Sequence, residues 1–518
     1  MADNIEQQPN MQGAPVQPQQ PVQQPVQEQP IQPSFDNSVS GKEDGQTKCP
    51  QCGATDISVN AKKGVLRCNY CRHEFKPEIA AGMNGDITKL QGVWVGKGAS
   101  DIQKGEQSKQ MMTLKCTSCG AEVVIDTKEA TQARCHWCRN MLSIQNQIPN
   151  GAVPDAVLPF KLTKQQAQQK IEEFVNKRKF FANPKFKQEF TTDNIMGVYM
   201  PYMSINANTH VRLEGLGEIK TRQYTVKHGD TYHTYYDADE YRVGREYDAA
   251  IKGLTIESNT QRMSNDKGET NNIINSIMPF DMENCVQWDA NYLHGYTSER
   301  RDTNVTDLKG YGDEKVKAVA RYSINDTLGK YDRGVSWKSE NIDIIGEQWS
   351  AVYLPVWLYS YFENKGNGQG IKHYVAVNAR TQETMGSVPV YMPLLLGISA
   401  IIEVVGIILF ALMLGVKNGY KFSWLFLLPG LIYGFSMYNK YRNKNAKHVY
   451  ETDTLQLKSN IKGYDTFNRK RKGLSNSMIE GCNNKTVNGS SANKVFNAVT
   501  GGSVLGTVAN IGINSLLK

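Results

Sequence analysis

Four Cys-x-x-Cys pairs, arranged in two frames of equal spacing, constrain this chain more than any other feature. Fifteen residues separate the two pairs of each frame, and the second frame begins 67 residues after the first. The surrounding sequence motifs repeat as well, CPQCGA with RCNYCR in the first frame and CTSCGA with RCHWCR in the second, so the sequence contains an internal duplication. The eight cysteines are Cys49, Cys52, Cys68, Cys71, Cys116, Cys119, Cys135 and Cys138.

Each frame predicts a structural zinc site. Two turns that each present two thiolates, held by a short hairpin, supply four soft ligands in a tetrahedron and leave no open position for catalysis. Gly53 and Gly120 follow the first pair of each frame, where a knuckle turn needs a residue that tolerates positive φ. We therefore expect two structural Zn2+ ions in two small β zinc ribbons, at 48–76 and 115–146. A redox motif or a disulfide framework would not predict two copies of equal spacing.

The remaining composition favours an intracellular protein. Eight of the ten cysteines fall in the two frames, whereas Cys285 and Cys482 follow no pattern. The N-terminal sequence MADNIEQQPNMQ has no basic or apolar segment, so we expect no signal peptide, and reduced thiols fit the cytoplasm. Gln and Pro make up 18 of the first 33 residues, which predicts an intrinsically disordered segment at 1–47.

The segment 154–389 predicts an α+β soluble body with a mainly antiparallel sheet. Thr163 can cap a helix that begins at Lys164, and apolar residues then recur at helical spacing to about residue 180. Segments of alternating character follow, and 228–230, with the sequence HGD, predict a hairpin turn between two of them.

Two other segments bear on how this body is built. GVYMPYMSI (197–205) is similar to AVYLPVWLYSY (351–361), and the proline in each suggests an edge strand or a bulge. The linker 77–114 between the ribbons contains a short apolar patch that forms one strand or simply tethers them. Trp94 lies in that patch, and we expect it in a core or a hairpin rather than as a docking anchor.

Two apolar runs predict membrane insertion. Residues 391–416 exceed the roughly 20 residues needed to span a bilayer, and 422–438 follow after a turn of five residues. We interpret the runs as a transmembrane helical hairpin; the alternative is one span with an interfacial helix. For Glu403, inside the first run, we favour a protonated side chain or pairing with a partner helix over an ion pathway. Self-association through the hairpin is the corresponding expectation.

Charge sets the expected orientation. Lysine and arginine follow the second run at Lys440, Arg442, Lys444 and Lys447. The positive-inside rule places that flank in the cytoplasm, and a hairpin returns the body to the same side. We therefore expect a multi-pass protein of the plasma membrane, with both its N-terminal and C-terminal regions cytoplasmic.

The tail 439–518 is strongly basic. It carries thirteen Lys or Arg against four Asp or Glu, a net charge of +9 in a chain whose total is +8. Its cluster Arg469-Lys470-Arg471-Lys472 predicts attraction to anionic membrane lipid, with nucleic acid as the competing polyanion. A solvated charged tail explains the same composition.

We find no motif that predicts catalysis. The patterns GxxxxGK[ST], GxSxG and HExxH are absent from the sequence. Cys285, Asp289 and His294 lie within ten residues, but proximity in sequence is not spatial geometry. His136 lies inside the second frame as an alternative ligand, although four thiolates already close that site. We therefore expect a protein that is not an enzyme.

A family resemblance rests on the two ribbons together with VLPFKLTKQQA, GVYMPY and AVYLPVWLYSY. These segments resemble bacterial membrane proteins of the double zinc-ribbon group, described as transcription-factor-IIB-type zinc-ribbon-containing or primosomal-helicase-like proteins. The resemblance covers roughly residues 48–440. It implies zinc, but transcription or replication only by analogy, because this sequence lacks a helicase motor and cyclin-like repeats.

These features predict a multidomain protein and two alternative functions. The first is a membrane-anchored cytoplasmic zinc-ribbon protein that acts as a non-enzymatic binding or scaffold module for a protein partner. The alternative is a membrane-tethered nucleic-acid-binding protein that uses the ribbons and the basic tail. Charge near the knuckles is basic but lacks the dense clusters of a phosphate-tracking groove, so we favour the first.

Overall fold

In the computed structural model of the chain, the described residues are 49–52, 54, 57–60, 63, 65–77, 80, 85–100, 111–127, 133–148, 153–229, 231–260, 273–364, 370–415, 426–443 and 448–475. The predicted disordered segment 1–47 lies outside them, as do Gly53, Asp230, Cys482 and the tail beyond 475.

Strands dominate the described part of the chain. They are β1 (Ile57–Asn60), β2 (Val65–Cys68), β3 (Glu74–Phe75), β4 (Gly92–Val95), β5 (Met111–Lys115), β6 (Glu122–Asp126), β7 (Gln147–Ile148), β8 (Ala156–Val157), β9 (Met196–His228), β10 (Thr231–Glu257), β11 (Val286–Gln287), β12 (Thr297–Glu299), β13 (Val335–Asn364), β14 (Gly370–Asn378), β15 (Thr384–Gly386) and β16 (Leu455–Ser475). The helices are α1 (Lys97–Ser100), α2 (Lys164–Asn176), α3 (Pro184–Glu189), α4 (Val305–Ser323), α5 (Met392–Leu414), α6 (Pro429–Arg442) and α7 (Tyr450–Asp453).

The strands form one small sheet and one large sheet. β1, β2 and β3 make an antiparallel sheet of three strands, and the other thirteen strands belong to one mixed sheet. Its long pairs, β9 with β10 and with β13, and β10 with β16, are antiparallel. β13 also pairs in parallel with β4 and β8, and β12 pairs in parallel with β9. The sheet is therefore mainly antiparallel, as predicted, and mixed only where short segments from distant parts of the chain align with the long strands.

Four strands are unusually long: β9 has 33 residues, β13 has 30, β10 has 27 and β16 has 21. At about 3.3 Å per residue, β9 extends roughly 110 Å along its length. β9 turns into β10 at Gly229, whose φ of +61° suits the predicted hairpin. β13 pairs with β9 only as far as Gly217, and β16 pairs with β10 as far as Tyr235, which lies opposite Tyr224. Only the tip of the hairpin beyond these two tyrosines is a two-stranded extension.

The two similar segments pair with each other in the centre of the large sheet. Pro201 lies opposite Tyr353, and Pro355 lies opposite Tyr199. The expectation of edge strands was wrong. The physical reason is that each proline falls where the neighbouring strand changes: β9 passes from β12 to β10 around Pro201, and β13 passes from β8 to β14 around Pro355. Each proline therefore lies between the end of one strand pair and the start of the next, so its missing N–H interrupts neither of them.

Helices cover parts of the sheet. α2 begins at the predicted cap, with a capping box between Thr163 and Gln166, and it buries the predicted apolar residues. It ends at Asn176, earlier than the predicted residue 180. Trp94, on β4, is 41% exposed, so the expectation of a core position was wrong. Its indole N–H donates to the Gln91 carbonyl at 2.7 Å.

One helix within the described residues is long and apolar enough to cross a membrane, α5, with 11% of its most apolar window buried. The second apolar run differs from its prediction. Within it, α6 begins only at Pro429 and has 14 residues, so it measures about 21 Å against a hydrocarbon core of about 30 Å. Residues 416–425 lie outside the described residues. A two-span hairpin and a multi-pass location are therefore not supported.

The strand after the apolar region returns to the body. β16 pairs with β10 from Leu455 opposite Lys252 to Ser475 opposite Tyr235. Because β10 belongs to the main sheet, the segments before α5 and after α6 belong to the same body. α6 packs against α5 at a close approach where a side chain on Gly430 would meet the Ser399 carbonyl and Glu403. Lys444 and Lys447, part of the predicted basic flank, lie outside the described residues.

Two glycines on α4 test how tightly this helix packs on the sheet. A Cβ on Gly312 would collide with the ring of buried Trp349, whereas a Cβ on Gly310 would meet nothing within 4 Å. Gly312→Ala should therefore lower the free energy of unfolding by about 1–3 kcal/mol through overpacking. Gly310→Ala should raise it by about 0.5–1 kcal/mol through helix propensity. Chemical denaturation of both variants measures the difference, and equal effects would contradict the packing.

Candidate metal centres

The structure brings the eight frame cysteines together as two groups of four. In the first group, the Sγ atoms of Cys49 and Cys71 lie 3.5 Å apart, and those of Cys52 and Cys68 lie 3.6 Å apart. In the second group, the matching distances are 3.5 Å and 3.6 Å between the pairs Cys116–Cys138 and Cys119–Cys135. All four sulfurs of each group lie within 4.8 Å of one another.

These separations fit a shared metal ion. A tetrahedron with metal–sulfur bonds of about 2.3 Å has sulfur–sulfur edges of about 3.8 Å. Disulfide sulfurs lie about 2.05 Å apart, and the eight cysteines are free thiols. Each tetrad therefore has the donor set and spacing of a structural metal site, with Cys49, Cys52, Cys68 and Cys71 as one set and Cys116, Cys119, Cys135 and Cys138 as the other.

The same backbone turns build both tetrads. The amide of Cys49 donates to the Ala54 carbonyl at 2.8 Å, and the amide of Cys116 donates to the Ala121 carbonyl at 2.8 Å. Gly120 has the predicted positive φ, +76°. Arg72 and Arg139 occupy the matching position in the second knuckles, with φ of +66° and +65°, which their residue type does not indicate. Their amides close the turns onto the carbonyls of the preceding knuckle cysteines, Cys68 and Cys135.

Ionisation in the second tetrad shows why a cation suits it. The hydrogen bond from Cys135 lowers the pKa of Cys119 to about 5. The same hydrogen bond, with burial, raises the pKa of Cys135. One thiolate therefore opposes the formation of its neighbour, because two like charges at this distance repel. A divalent cation at the centre would relieve that repulsion and allow four thiolates.

The second ribbon is built into the main sheet. β6 pairs with β12, and β12 pairs with β9, so the strands that hold Cys116 extend the central sheet. Its knuckle also docks on the body: the Trp137 indole N–H donates to Glu299 at 2.6 Å and its ring packs edge-on against Tyr374. His136 Nδ1 lies 3.2 Å from the Thr297 hydroxyl. His136 is thus a docking residue outside the tetrad, which the sequence did not reveal.

The first ribbon stands on its own sheet. β1, β2 and β3 pair only with one another among the described strands, and Ile57 and Leu66 pack into the adjoining core. Tyr70 occupies the position in its knuckle that Trp137 occupies in the second, since each immediately precedes the last cysteine of its frame. Tyr70 is 83% exposed. The duplication therefore presents one docked knuckle and one open knuckle.

The sequence neighbours Cys285, Asp289 and His294 do not form a catalytic set. No hydrogen bond joins the Cys285 thiol to His294 within the described part of the chain, and His294 Nδ1 instead lies 3.4 Å from Asp126. Cys285 is fully buried, and burial raises the pKa of its thiol. A nucleophilic cysteine needs a lowered pKa and access to solvent, so this one has the opposite properties.

Glu403 has an intramolecular partner that the sequence did not indicate. Its Oε2 accepts a hydrogen bond of 2.9 Å from the backbone amide of Gly430, in the first turn of α6. The amides of a first turn have no partner within their own helix and lie at its positive end. Glu403 therefore caps α6 and holds it against α5 inside the apolar region.

The basic cluster of the tail lies on β16 and is partly neutralised. Arg469 Nε lies 2.8 Å from Glu240, and Arg471 pairs with Glu218. Both carboxylates are almost fully buried, at 2% and 1% exposure for Glu240 and Glu218. Burying a carboxylate without a positive partner is costly, so these arginines are structural. The alternating side chains of a strand leave Lys470 and Lys472 exposed.

Comparisons with known proteins identify a similar protein but show no family. No family model matches the chain, and no solved structure matches it. The chain is 22% identical over 354 residues to an uncharacterized Bacillus subtilis (strain 168) protein, YdjG. The similarity covers 66% of this chain and 89% of that protein.

The different surroundings of the tetrads predict different responses to the same substitution. Cys68→Ser should remove one metal ion per chain and lower the thermal midpoint of the body only slightly, because the first ribbon joins the body through side-chain packing at Ile57 and Leu66 and not through its sheet. Cys135→Ser should remove one metal ion and lower that midpoint by more than about 5 °C, because β6 belongs to the main sheet. Elemental analysis and thermal unfolding measure both effects. Equal midpoints for the two variants would contradict the asymmetry.

Proposed function

We propose that this protein is a membrane-anchored zinc-ribbon scaffold that binds a protein partner on the cytoplasmic side and performs no catalysis of its own. Zn2+ is the metal that suits four thiolates in a closed tetrahedron, and two such ions would be structural. The observation that carries the proposal is a contrast between the two knuckles. Trp137 packs on the body, whereas Tyr70, at the matching position of the first ribbon, is exposed.

Membrane anchoring is supported by the surface of α5. Apolar side chains are exposed on this helix outside the face that packs against α6, with Ile401 and Leu412 both at 65% and Leu396 at 59%. A core helix of a soluble protein would bury them, and such a continuous apolar surface in water would drive association. Lipid satisfies the surface without a protein partner. Because β16 returns to β10, the segments before α5 and after α6 belong to one body, and the proposal places both on the same face of the bilayer.

A protein partner is supported by the first ribbon. The second ribbon shows what this knuckle does when covered: its aromatic residue, Trp137, packs on Tyr374 and donates to the carboxylate of Glu299. Tyr70 presents an aromatic ring with a hydroxyl at the same place, uncovered. Exposed tyrosines that carry both an apolar body and a polar tip are favoured anchors of protein interfaces.

The charge pattern of β16 does not favour the nucleic-acid alternative. Arg469 and Arg471 are held by buried carboxylates, and Lys458 lies 2.6 Å from Asp326. Phosphates would have to displace these acidic partners. In the scaffold proposal, the basic residues of β16 are part of the fold, because ion pairs such as Arg469 with Glu240 hold β16 against β10.

Membrane anchoring can be tested by disrupting α5. Ile401→Asp together with Ile408→Asp should release the full-length protein from alkali-washed membranes, because each aspartate near the centre of a bilayer costs about 3 kcal/mol. The same two changes at Leu455 and Ile461, exposed apolar residues of β16, should leave the protein in the membrane. Immunoblots of soluble and membrane fractions provide the measurement. Release by both pairs, or by neither, would contradict an anchor at α5.

Partner binding can be tested at the open knuckle. Tyr70→Ala should abolish quantitative co-purification of one or more proteins with the full-length chain, while Tyr232→Ala, at an exposed tyrosine of the hairpin tip, should not. Metal content of two ions per chain confirms that the ribbon remains folded. The purified protein should bind random DNA and RNA weakly. Tight binding that falls steeply between about 50 and 200 mM salt would favour the nucleic-acid alternative.

A further inference from the structure

The turn between α2 and α3 lies at the point where α5 leaves the body. We call residues 177–187 the collar turn. The Phe181 carbonyl accepts a hydrogen bond of 2.7 Å from the amide of Tyr391, the residue that precedes α5. The Phe181 amide donates to the Tyr441 hydroxyl at 3.0 Å, near the end of α6. The collar turn therefore contacts both ends of the apolar region.

The exposed side chains of the collar turn share an unusual composition. Phe180 is 64% exposed, whereas its neighbour Phe181 is 1% exposed. The exposed basic residues around it are Lys177, Lys179, Lys185 and Lys187. The ammonium group of Lys187 donates to the Phe180 carbonyl at 3.3 Å. Only Lys185 has a described acidic partner here, Glu189 at 3.8 Å.

The position of Phe180 limits what can cover it. Phe180 is one Cα step, about 3.8 Å, from the residue that bonds to Tyr391. If α5 enters a bilayer at Met392, the collar turn lies at the level of the headgroups. An exposed aromatic ring flanked by lysines is the composition of segments that lie in that layer, where the ring enters the acyl boundary and the lysines meet phosphates.

We propose that the collar turn is a second membrane contact, in which Phe180 inserts at the headgroup level of anionic lipid and the surrounding lysines bind its phosphates. This inference rests on the proposed anchoring by α5. The contact fixes the body against the bilayer at two places, since α5 alone would allow the body to tilt about a single helix. Anionic lipid is the complementary partner because the four exposed lysines outnumber the two described carboxylates that contact the collar turn, Glu189 and Glu363.

Site-specific photo-crosslinking of the full-length protein tests the contact. p-Benzoylphenylalanine would replace Phe180 in one sample and Tyr232, 70% exposed on the hairpin tip, in the control. Both proteins would be placed in nanodiscs of phosphatidylglycerol with phosphatidylcholine, irradiated and analysed by mass spectrometry. We expect a lipid adduct at 180 and none at 232.

Charge reversal tests the lysines. Lys177→Glu with Lys179→Glu removes no described side-chain hydrogen bond, so the collar turn should stay folded. The pair should lower the yield of lipid adduct by about fivefold for each lysine, equivalent to about 1 kcal/mol each. The matched control, Lys220→Glu with Lys227→Glu on the β9–β10 hairpin, should leave the yield unchanged. Discs of phosphatidylcholine alone should give the low yield without any substitution.

The outcomes separate the two proposals. A protein that stays in the disc but forms no lipid adduct at 180 overturns the collar contact and leaves the anchor intact. A protein that does not enter the disc overturns the anchor itself. Equal yields in neutral and anionic discs overturn the assignment of the lysines to lipid phosphates, as does an equal loss of yield in the control pair at Lys220 and Lys227.

Discussion

The hydrogen-bond ladder that joins β13, β9, β10 and β16 organises the large sheet and the elements attached to it. Buried backbone groups must find partners, and here four long strands satisfy one another over most of their lengths. Shorter strands pair with this ladder. β12 joins the second ribbon to β9, and β4 of the linker and β8 at the start of the body both pair with β13. The return of β16 also joins the segment after α6 to the body that precedes α5, because β16 pairs with β10.

The duplicated ribbons show how one local scaffold acquires two roles. Their sulfur geometry and turn hydrogen bonds are nearly the same, so the metal site depends on residues within each frame. Their surroundings differ because β6 joins the large sheet and β1 does not. The aromatic residue of the knuckle is accordingly covered in one copy, as Trp137, and open in the other, as Tyr70.

The parts of the structure that sequence could predict are those that depend on local spacing. The tetrads follow from cysteine intervals, and α2 follows from its Thr163 cap and its apolar period. Sequence could not place Pro201 in a central strand, because that position is tolerated only where the neighbouring strands change. It could not show that α6 begins at Pro429, since hydropathy alone does not mark a helix start. Nor could it pair Arg471 with Glu218, because two residues so far apart in the chain meet only through the register of β9, β10 and β16.

The length of the β9–β10 hairpin has a mechanical consequence. Paired, twisted strands form a stiff ribbon, and the tip at Gly229 follows β9, which extends roughly 110 Å from its start at Met196. A tilt of about 5° at Met196 would therefore displace the tip by roughly 10 Å. The ribbon thus amplifies small rotations of the body into large movements at its far end, where Tyr232, His228 and His233 are exposed to solvent.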